Sequence, residues 1–277
     1  MTDDIAVPDG VASFSVQGTA VSPAVQDALL AMPANGTIFD RLTAYDVSWC
    51  DYTASYPTGT TSELFAADDA AVAELHYKAV EEFFADAATG ALPGFSLIDP
   101  DYDTQSQENP QDVTVGESFL CDVMKAVFES PQWPTTLFVL TYDEHGGYFD
   151  HVPPPAALVP DSIPPFVAEG ESTYDGYARY GFRVPALVAS PYALPGGLTH
   201  SVYDQTSILA MVERKWNLPS MTYRDANAND LTGFLDMRAL SANAPTFPEV
   251  DIGRFSFPAP SRAHGEIPPA GSQGPPL

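Results

Sequence analysis

The chain of 277 residues, 45% of them hydrophobic, is long enough to fold around one substantial core. Its 37 acidic and 11 basic residues give a net charge of −26, which repels phosphate backbones, so we expect no nucleic acid partner. The longest purely apolar runs, such as 137–140 and 186–189, are far shorter than the roughly 20 residues that span a bilayer, so no transmembrane segment is predicted.

The first 36 residues are rich in Asp, Pro, Gly and small side chains and show little periodicity, which predicts a loosely ordered leader over 1–36. They lack the basic start and apolar stretch of a secretory signal, so no export address is predicted and the localisation stays open. Cys50 and Cys121 have neither metal-ligand spacing nor disulfide density. We interpret them as buried or incidental thiols, with a single disulfide as the alternative in an exported protein.

Two segments come next in chain order. Residues 37–52 mix apolar and aromatic side chains and predict a short helix that runs into a strand. Residues 65–89 place apolar side chains, among them Leu75 and Phe83, at helical intervals with an acidic outer face. Gly90 is the predicted end of this helix.

Strand and helix patterns then alternate. Buried strands are predicted over 94–100, 135–142 and 183–191, and helices over 116–129 and 203–217. Strands that are apolar throughout and alternate with helices indicate an α/β fold whose mostly parallel sheet is covered on both faces.

The chain beyond about residue 245 turns to Pro, Gly and Ser, a composition that buries too little apolar area to order itself. The predicted organisation is therefore one α/β domain over 37–245, followed by a disordered tail over 246–277.

The stretch TYDEHGGYFDHVPPP, residues 141–155, directly follows the best predicted strand. Ligand chemistry in parallel α/β sheets collects beyond the carboxyl ends of strands. The adjacent carboxylates of Asp143 and Glu144 favour a divalent cation of unknown identity, to which His145 adds a nitrogen ligand or a proton carrier. The alternative is an exposed acidic turn with a glycine cap, and residue types alone leave both interpretations open.

Two further histidines are candidates for the same crevice. His151 either supports the proline loop over 153–155 structurally or faces the substrate. His200 follows a strand end and a Gly-Gly turn, and either reaches the crevice or is a solvated residue before the next helix. Asp204 is predicted to be the N-cap of that helix.

The stretch TYDEHGGYFDHVPPP strongly resembles the signature of a bacterial phosphoesterase family that contains non-haemolytic type phospholipases C and an acid phosphatase. Other blocks resemble the family in the same order from about residue 37 to 236, including TIFDRLTAYDVSWCDY, RVPALVASPYA and RDANANDL.

The resemblance implies an alkaline-phosphatase-like three-layer α/β sandwich that hydrolyses phosphoric esters, with a phosphate ester or a phospholipid as substrate. It also implies that Asp143 and Glu144 are ligands of a divalent metal ion. His145, His151 and His200 are then the catalytic candidates.

The sequence departs from the family pattern in three ways. Neither the upstream block resembling ENRSFDHYFG nor the block that bears a Ser or Thr nucleophile has a counterpart. The usual EHP reads ENP at 108–110, which replaces an imidazole with an amide that transfers no proton near neutral pH. The usual YDHTS reads YDQTS at 203–207.

These departures predict the C-terminal portion of the family fold without its N-terminal part, either as a fragment or as a degenerate homologue. Uncovered sheet edges would then favour self-association. The alternative to a hydrolase is a non-catalytic homologue that binds phosphate or lipid head groups. A third alternative is an interaction role for the proline-rich tail.

Overall fold

The computed structural model describes residues 35–54, 75–108, 111–164 and 176–250. Nearly all of the predicted leader and most of the predicted tail lie outside these ranges, so the domain boundaries stay a prediction. Thr246 and Phe247, at the start of the predicted tail, donate hydrogen bonds to the carbonyl oxygen of Pro191 at 3.1 and 2.8 Å.

The described residues form strands and helices in alternation. In chain order these are α1 (Ile38–Ala44), β1 (Trp49–Thr53), β2 (Tyr77–Ala79), α2 (Val80–Thr89), β3 (Phe95–Asp99), α3 (Val113–Glu129), β4 (Phe138–Thr141), β5 (Ala186–Ala189), α4 (Gln205–Trp216), α5 (Tyr223–Asn227) and α6 (Met237–Ser241). Short 3-10 turns occupy Trp133–Thr135, Gly176–Ala178 and Leu231–Phe234.

Strand β1 is the centre of a three-stranded parallel sheet with the order β2-β1-β3. Its side chains point alternately to two apolar layers. On one face Tyr52 packs with Phe83 of α2 and Val127 of α3. On the other face Trp49 packs with Leu42 of α1 and with residues of α4. Helices therefore cover both faces of β1, which confirms the α/β class, while the likeness to alkaline phosphatase stays a prediction.

Strands β4 and β5 form a separate two-stranded antiparallel sheet, which departs from the predicted parallel arrangement. Thr141 at the end of β4 pairs with Ala186 at the start of β5. The connection over 142–185 therefore leaves and returns at the same end of the pair, and it contains the signature stretch from Tyr142 onward.

The predicted helix ends agree with the structure. Asp204 is the N-cap of α4, where its side chain accepts from the backbone N–H of Ser207 in a capping box. Gly90 ends α2 with φ of 73°, a left-handed conformation that glycine adopts without steric cost. A second capping box between Thr37 and Asp40 starts α1.

Two predicted elements were wrong in part. Within the helix predicted over 65–89, residues 77–79 form β2 and Leu75 is exposed, because pairing with β1 overrides the helical periodicity. Residues 65–74 lie outside the described residues. In the strand predicted over 183–191, Leu187 is exposed rather than buried, because β5 pairs only with β4 and no described layer covers it.

Two expectations from composition can be compared with the structure. Cys50 and Cys121, the only cysteines of the chain, are both free, so the interpretation as thiols is confirmed and the alternative disulfide is not formed. Burial raises the pKa of the Cys50 thiol to about 12, which makes it unreactive near neutral pH. Across the described ranges no helix is long and apolar enough to cross a membrane.

Candidate functional site

The signature turn lies beyond the carboxyl end of β4, where the sequence predicts it. Asp99, the last residue of β3, lies near enough for the negative charge of Asp143 to raise its pKa. The carboxyl end of β3 therefore lies near the turn that follows β4, although the two strands belong to different sheets.

The three central residues of the turn contact one another. The exposed Asp143 accepts a hydrogen bond from the backbone N–H of Glu144 at 2.9 Å. Glu144 Oε2 lies 3.0 Å from Nδ1 of His145, whose ring centroid is 4.9 Å from that of Phe182. Because one carboxylate is held by the backbone and the other by the imidazole, the turn is organised by its own side chains.

A bidentate ion pair fixes the loop after this turn. Arg183 donates from Nε and Nη2 to the two oxygens of Asp150 at 2.7 and 2.8 Å. The Arg183 guanidinium holds the pKa of the Asp150 carboxyl well below its usual range. Asp150 also accepts from the backbone N–H of Val152 at 3.1 Å and lies 3.6 Å from Nδ1 of the exposed His151. The pair joins residues 33 positions apart, so no local sequence pattern signals it.

Both segments that depart from the family pattern contact the signature turn. Gln205 at the start of α4 donates its side-chain amide to the carbonyl oxygens of Tyr142 and Asp143, each at 3.3 Å. A Cβ added to Gly146 would lie 3.8 Å from the Cα of Glu108, so the first residue of the ENP segment lies beside the turn. Asn109 and Pro110 lie outside the described residues.

The structure therefore brings together Asp143, Glu144 and His145, and connects His151 to the same loop through Asp150. His200 is exposed in the loop before α4. Within the ranges that the structure describes, no hydrogen bond or ion pair connects His200 to the turn.

The described residues of the turn supply only part of a metal site. Among the described residues there is no group of three or more His, Cys, Asp and Glu side chains that could hold one. Asp143 and Glu144 supply two carboxylates, but Glu144 is already paired with His145. Water or further side chains would have to complete a metal site at this turn.

Sequence reasoning missed two buried carboxylates, Asp51 and Asp99, of which Asp99 lies near the turn. Asp51 lies in the middle of β1 and is fully buried, and burial together with the charge of Asp99 raises its pKa to about 8. Burial likewise raises the pKa of Asp99 to about 6. The available signal was an acidic residue inside the otherwise apolar and aromatic run WCDY.

A small polar cleft lies between the proline loop and the start of α4. Its volume is about 200 Å³. Its polar lining residues are Tyr180, Asp204, Ser207, Asn227 and Asn229. Since Asp204 directly precedes Gln205, the cleft is adjacent to the signature turn.

A family model described as "Phosphoesterase family" matches residues 10–219, which include the signature turn. The chain belongs to the phosphoesterase family. The resemblance inferred from the signature is thereby confirmed.

This phosphoesterase is similar to several curated phospholipases C. It is 35% identical over 182 residues to non-specific phospholipase C3 of Arabidopsis thaliana, covering 60% of this chain and 34% of the relative. It is 32% identical over 249 residues to non-specific phospholipase C6 of the same plant, covering 83% of this chain and 47% of the relative. It is 32% identical over 190 residues to phospholipase C B of Mycobacterium tuberculosis, covering 63% of this chain and 35% of the relative. The chain spans about a third to a half of the length of these relatives.

Gly116 of α3 is expected to allow the close packing of the segment that contacts the signature turn. A Cβ at Gly116 would lie 2.5 Å from the carbonyl oxygen of Gln105 and 2.6 Å from Cγ of Gln107. Gln107 in turn accepts a hydrogen bond from the hydroxyl of Tyr142 at 2.6 Å. Gly116→Ala is therefore expected to destabilise the protein by about 1–3 kcal/mol, although alanine is the better helix former.

Urea unfolding measures this effect. Asp122→Ala, at an exposed position of the same helix, is the control and is expected to stay within about 0.5 kcal/mol of wild type. A gain in stability for Gly116→Ala would show that helix propensity outweighs the steric contact.

Proposed function

We propose that this chain hydrolyses phosphoric esters, with the activity of a phospholipase C or an acid phosphatase. The observation that carries the proposal is the family match over 10–219, which includes an intact DEHGG turn at the carboxyl end of a strand. The named relatives are phospholipases C, so a phospholipid or another phosphate ester is the proposed substrate.

His145 is the proposed proton donor or phosphate contact. The Glu144 carboxylate, 3.0 Å from Nδ1, favours a proton on that nitrogen and leaves Nε2 to act on a ligand. An imidazole that a neighbouring carboxylate orients can protonate a leaving oxygen or donate a hydrogen bond to a phosphoryl oxygen.

His151 and His200 are weaker candidates. Asp150, itself held by Arg183, lies near His151, whose ring is open to solvent and to a substrate. His200 is proposed only from its position before α4. Asp143 and Glu144 stay the proposed ligands of a divalent cation of unassigned identity, which would withdraw charge from a phosphoryl group.

The second candidate function is a non-catalytic homologue that binds phosphate or lipid head groups. It is favoured by Gln205, whose amide contacts the turn from the position where the family motif has an imidazole. An amide donates and accepts hydrogen bonds but transfers no proton near neutral pH, so this exchange preserves binding better than catalysis.

Activity on p-nitrophenyl phosphate and on phosphatidylcholine vesicles, with and without added Mg²⁺, Mn²⁺, Zn²⁺ or Ca²⁺, tests the proposal. We expect turnover that Asp143→Ala lowers by about 100-fold or more, because the variant removes a charged group at the phosphoryl site. Asp122→Ala, at an exposed site on α3, is the matched control and is expected to keep wild-type activity.

The two candidate functions predict different outcomes. Wild-type protein that releases no product with any of these metals, yet binds phosphate or phosphocholine in calorimetry, would be the binding homologue. Turnover that Asp143→Ala leaves unchanged would contradict the assignment of this turn as the site.

A further inference from the structure

Two buried carboxylates behind the turn have unpaired oxygens. Both oxygens of Asp51 and Oδ2 of Asp99 find no hydrogen-bond partner in the part of the chain that the structure describes. Asp51 is fully buried, and Asp99 is 8% exposed. A buried ionised carboxylate without a partner is strongly unfavourable, so native proteins compensate it with a donor, a proton or an ion.

The strand register places the two carboxylates on one face of the sheet. Asp51 of β1 is opposite Leu97 of β3, and Asp99 is two residues further along β3, opposite Thr53. Because side chains alternate along a strand, Asp51, Thr53 and Asp99 project to the same side. The charge of Asp99 raises the pKa of Asp51, which shows that the two groups lie close to each other.

The charges that act on the pair from the described residues are negative. Asp99 acts on Asp51, and Asp143 acts on Asp99. The hydroxyl of Tyr102 donates to Asp99, but no basic side chain in the described ranges contributes to either pKa. Within the described ranges no side chain supplies the positive charge that would balance the pair, and a proton or a bound cation would supply it.

A bound cation explains the geometry better than a shared proton. Two carboxyl groups that share a proton are in direct hydrogen-bond contact, whereas neither oxygen of Asp51 makes such a contact with any described residue. A proton on Asp51 alone neutralises its charge but leaves a buried O–H and a buried carbonyl oxygen without partners among the described residues. A cation between two carboxylates holds them near each other without that contact. Hard divalent cations prefer oxygen ligands, and Mg²⁺ binds through one or two carboxylates while it keeps water in its other positions.

We propose that Asp51 and Asp99 bind a hard divalent cation, Mg²⁺ or Ca²⁺, between β1 and β3. The ion neutralises the buried charge and stabilises the pairing of the two strands. Two carboxylates with water complete such a site, which is consistent with the lack of any three-ligand group among the described side chains. The site is separate from Asp143 and Glu144 and does not depend on the proposed hydrolysis.

Thermal unfolding of the full chain at pH 8, first in EDTA and then in excess Mg²⁺ or Ca²⁺, tests the proposal. A cation that binds only the folded state at about 100 times its Kd is expected to raise Tm by about 5 °C. In Asp51→Asn this rise is expected to disappear, and Tm in EDTA is expected to exceed that of wild type because the unpaired charge is gone. Asp99→Asn is the second variant, and calorimetric titration of wild type with each cation measures binding directly.

The double variant Asp143→Asn/Glu144→Gln separates this site from the turn and is expected to retain the full rise in Tm. If neither cation raises the wild-type Tm, or if the rise persists in both Asp51→Asn and Asp99→Asn, the proposal is wrong. A rise lost only in the double variant would place the cation at the turn and would equally overturn this site.

Discussion

Phe83→Ala is expected to lower the free energy of unfolding by about 3–5 kcal/mol, the range for removing a buried aromatic side chain. Phe83 is 1% exposed, and its ring packs at 5.7 Å against Tyr52 and at 5.2 Å against Phe84, measured between centroids. It connects α2 to the central strand β1, so the cavity left by alanine opens the middle of the core. Urea unfolding of wild type and variant measures the difference.

Phe149→Ala is the matched control for this loss. Phe149 is 87% exposed in the signature loop, so the same change in side-chain volume removes little buried area. Its stability is expected to stay within about 0.5 kcal/mol of wild type. Equal losses for the two variants would contradict the burial of Phe83 against β1, and a large loss for Phe149→Ala alone would show that a further surface covers this loop.

Glu213→Gln is expected to remove much of the pH dependence of stability between about pH 5 and pH 8. Burial on α4 and the neighbouring Asp225 raise the pKa of Glu213 to about 8, while Arg41 of α1 acts in the opposite direction. Asp225 accepts from the backbone N–H groups of Met221 and Thr222, each at 2.7 Å, and its own pKa is lowered. The shared proton therefore stays on Glu213.

The sign of this effect follows from the raised pKa in the folded state. Glu213 binds a proton in the folded protein up to about pH 8, whereas in the unfolded chain it loses the proton near 4.5. The protonated Glu213 therefore stabilises the folded protein fully below pH 4.5. This stabilisation is lost as the pH rises to 8, by up to about 1.4 kcal/mol per pH unit. Glutamine keeps a donor for Asp225 at every pH, so the variant loses less stability.

Urea unfolding of wild type and Glu213→Gln at pH 5, 6, 7 and 8 measures how the free energy of unfolding of each changes with pH. The other titrating groups are common to both proteins, so their effect cancels in the comparison. Glu81→Gln, at an exposed position of α2, is the control and is expected to keep the wild-type slope. Parallel pH profiles for wild type and Glu213→Gln would show that Glu213 is ionised in the folded protein.

Local patterns accounted for most of the helices and for the position of the turn. Periodic apolar residues and a capping residue lie within a few positions of one another, so they predicted α3 and the N-cap Asp204 of α4. The apolar run before the signature predicted β4, and therefore placed Asp143 beyond the carboxyl end of a strand. The catalytic and metal-binding roles of the site residues stay predictions.

The sequence by itself determined the α/β class, the family and the acidic turn, because each depends on neighbouring residues or on a contiguous motif. Only the tertiary structure decided that 77–79 pairs as β2, that β4 and β5 are antiparallel, and that Arg183 clamps Asp150. It also decided that Asp51 lies fully buried. These features depend on contacts between segments far apart in the chain, and a residue's local sequence carries no information about which distant segment will pack against it.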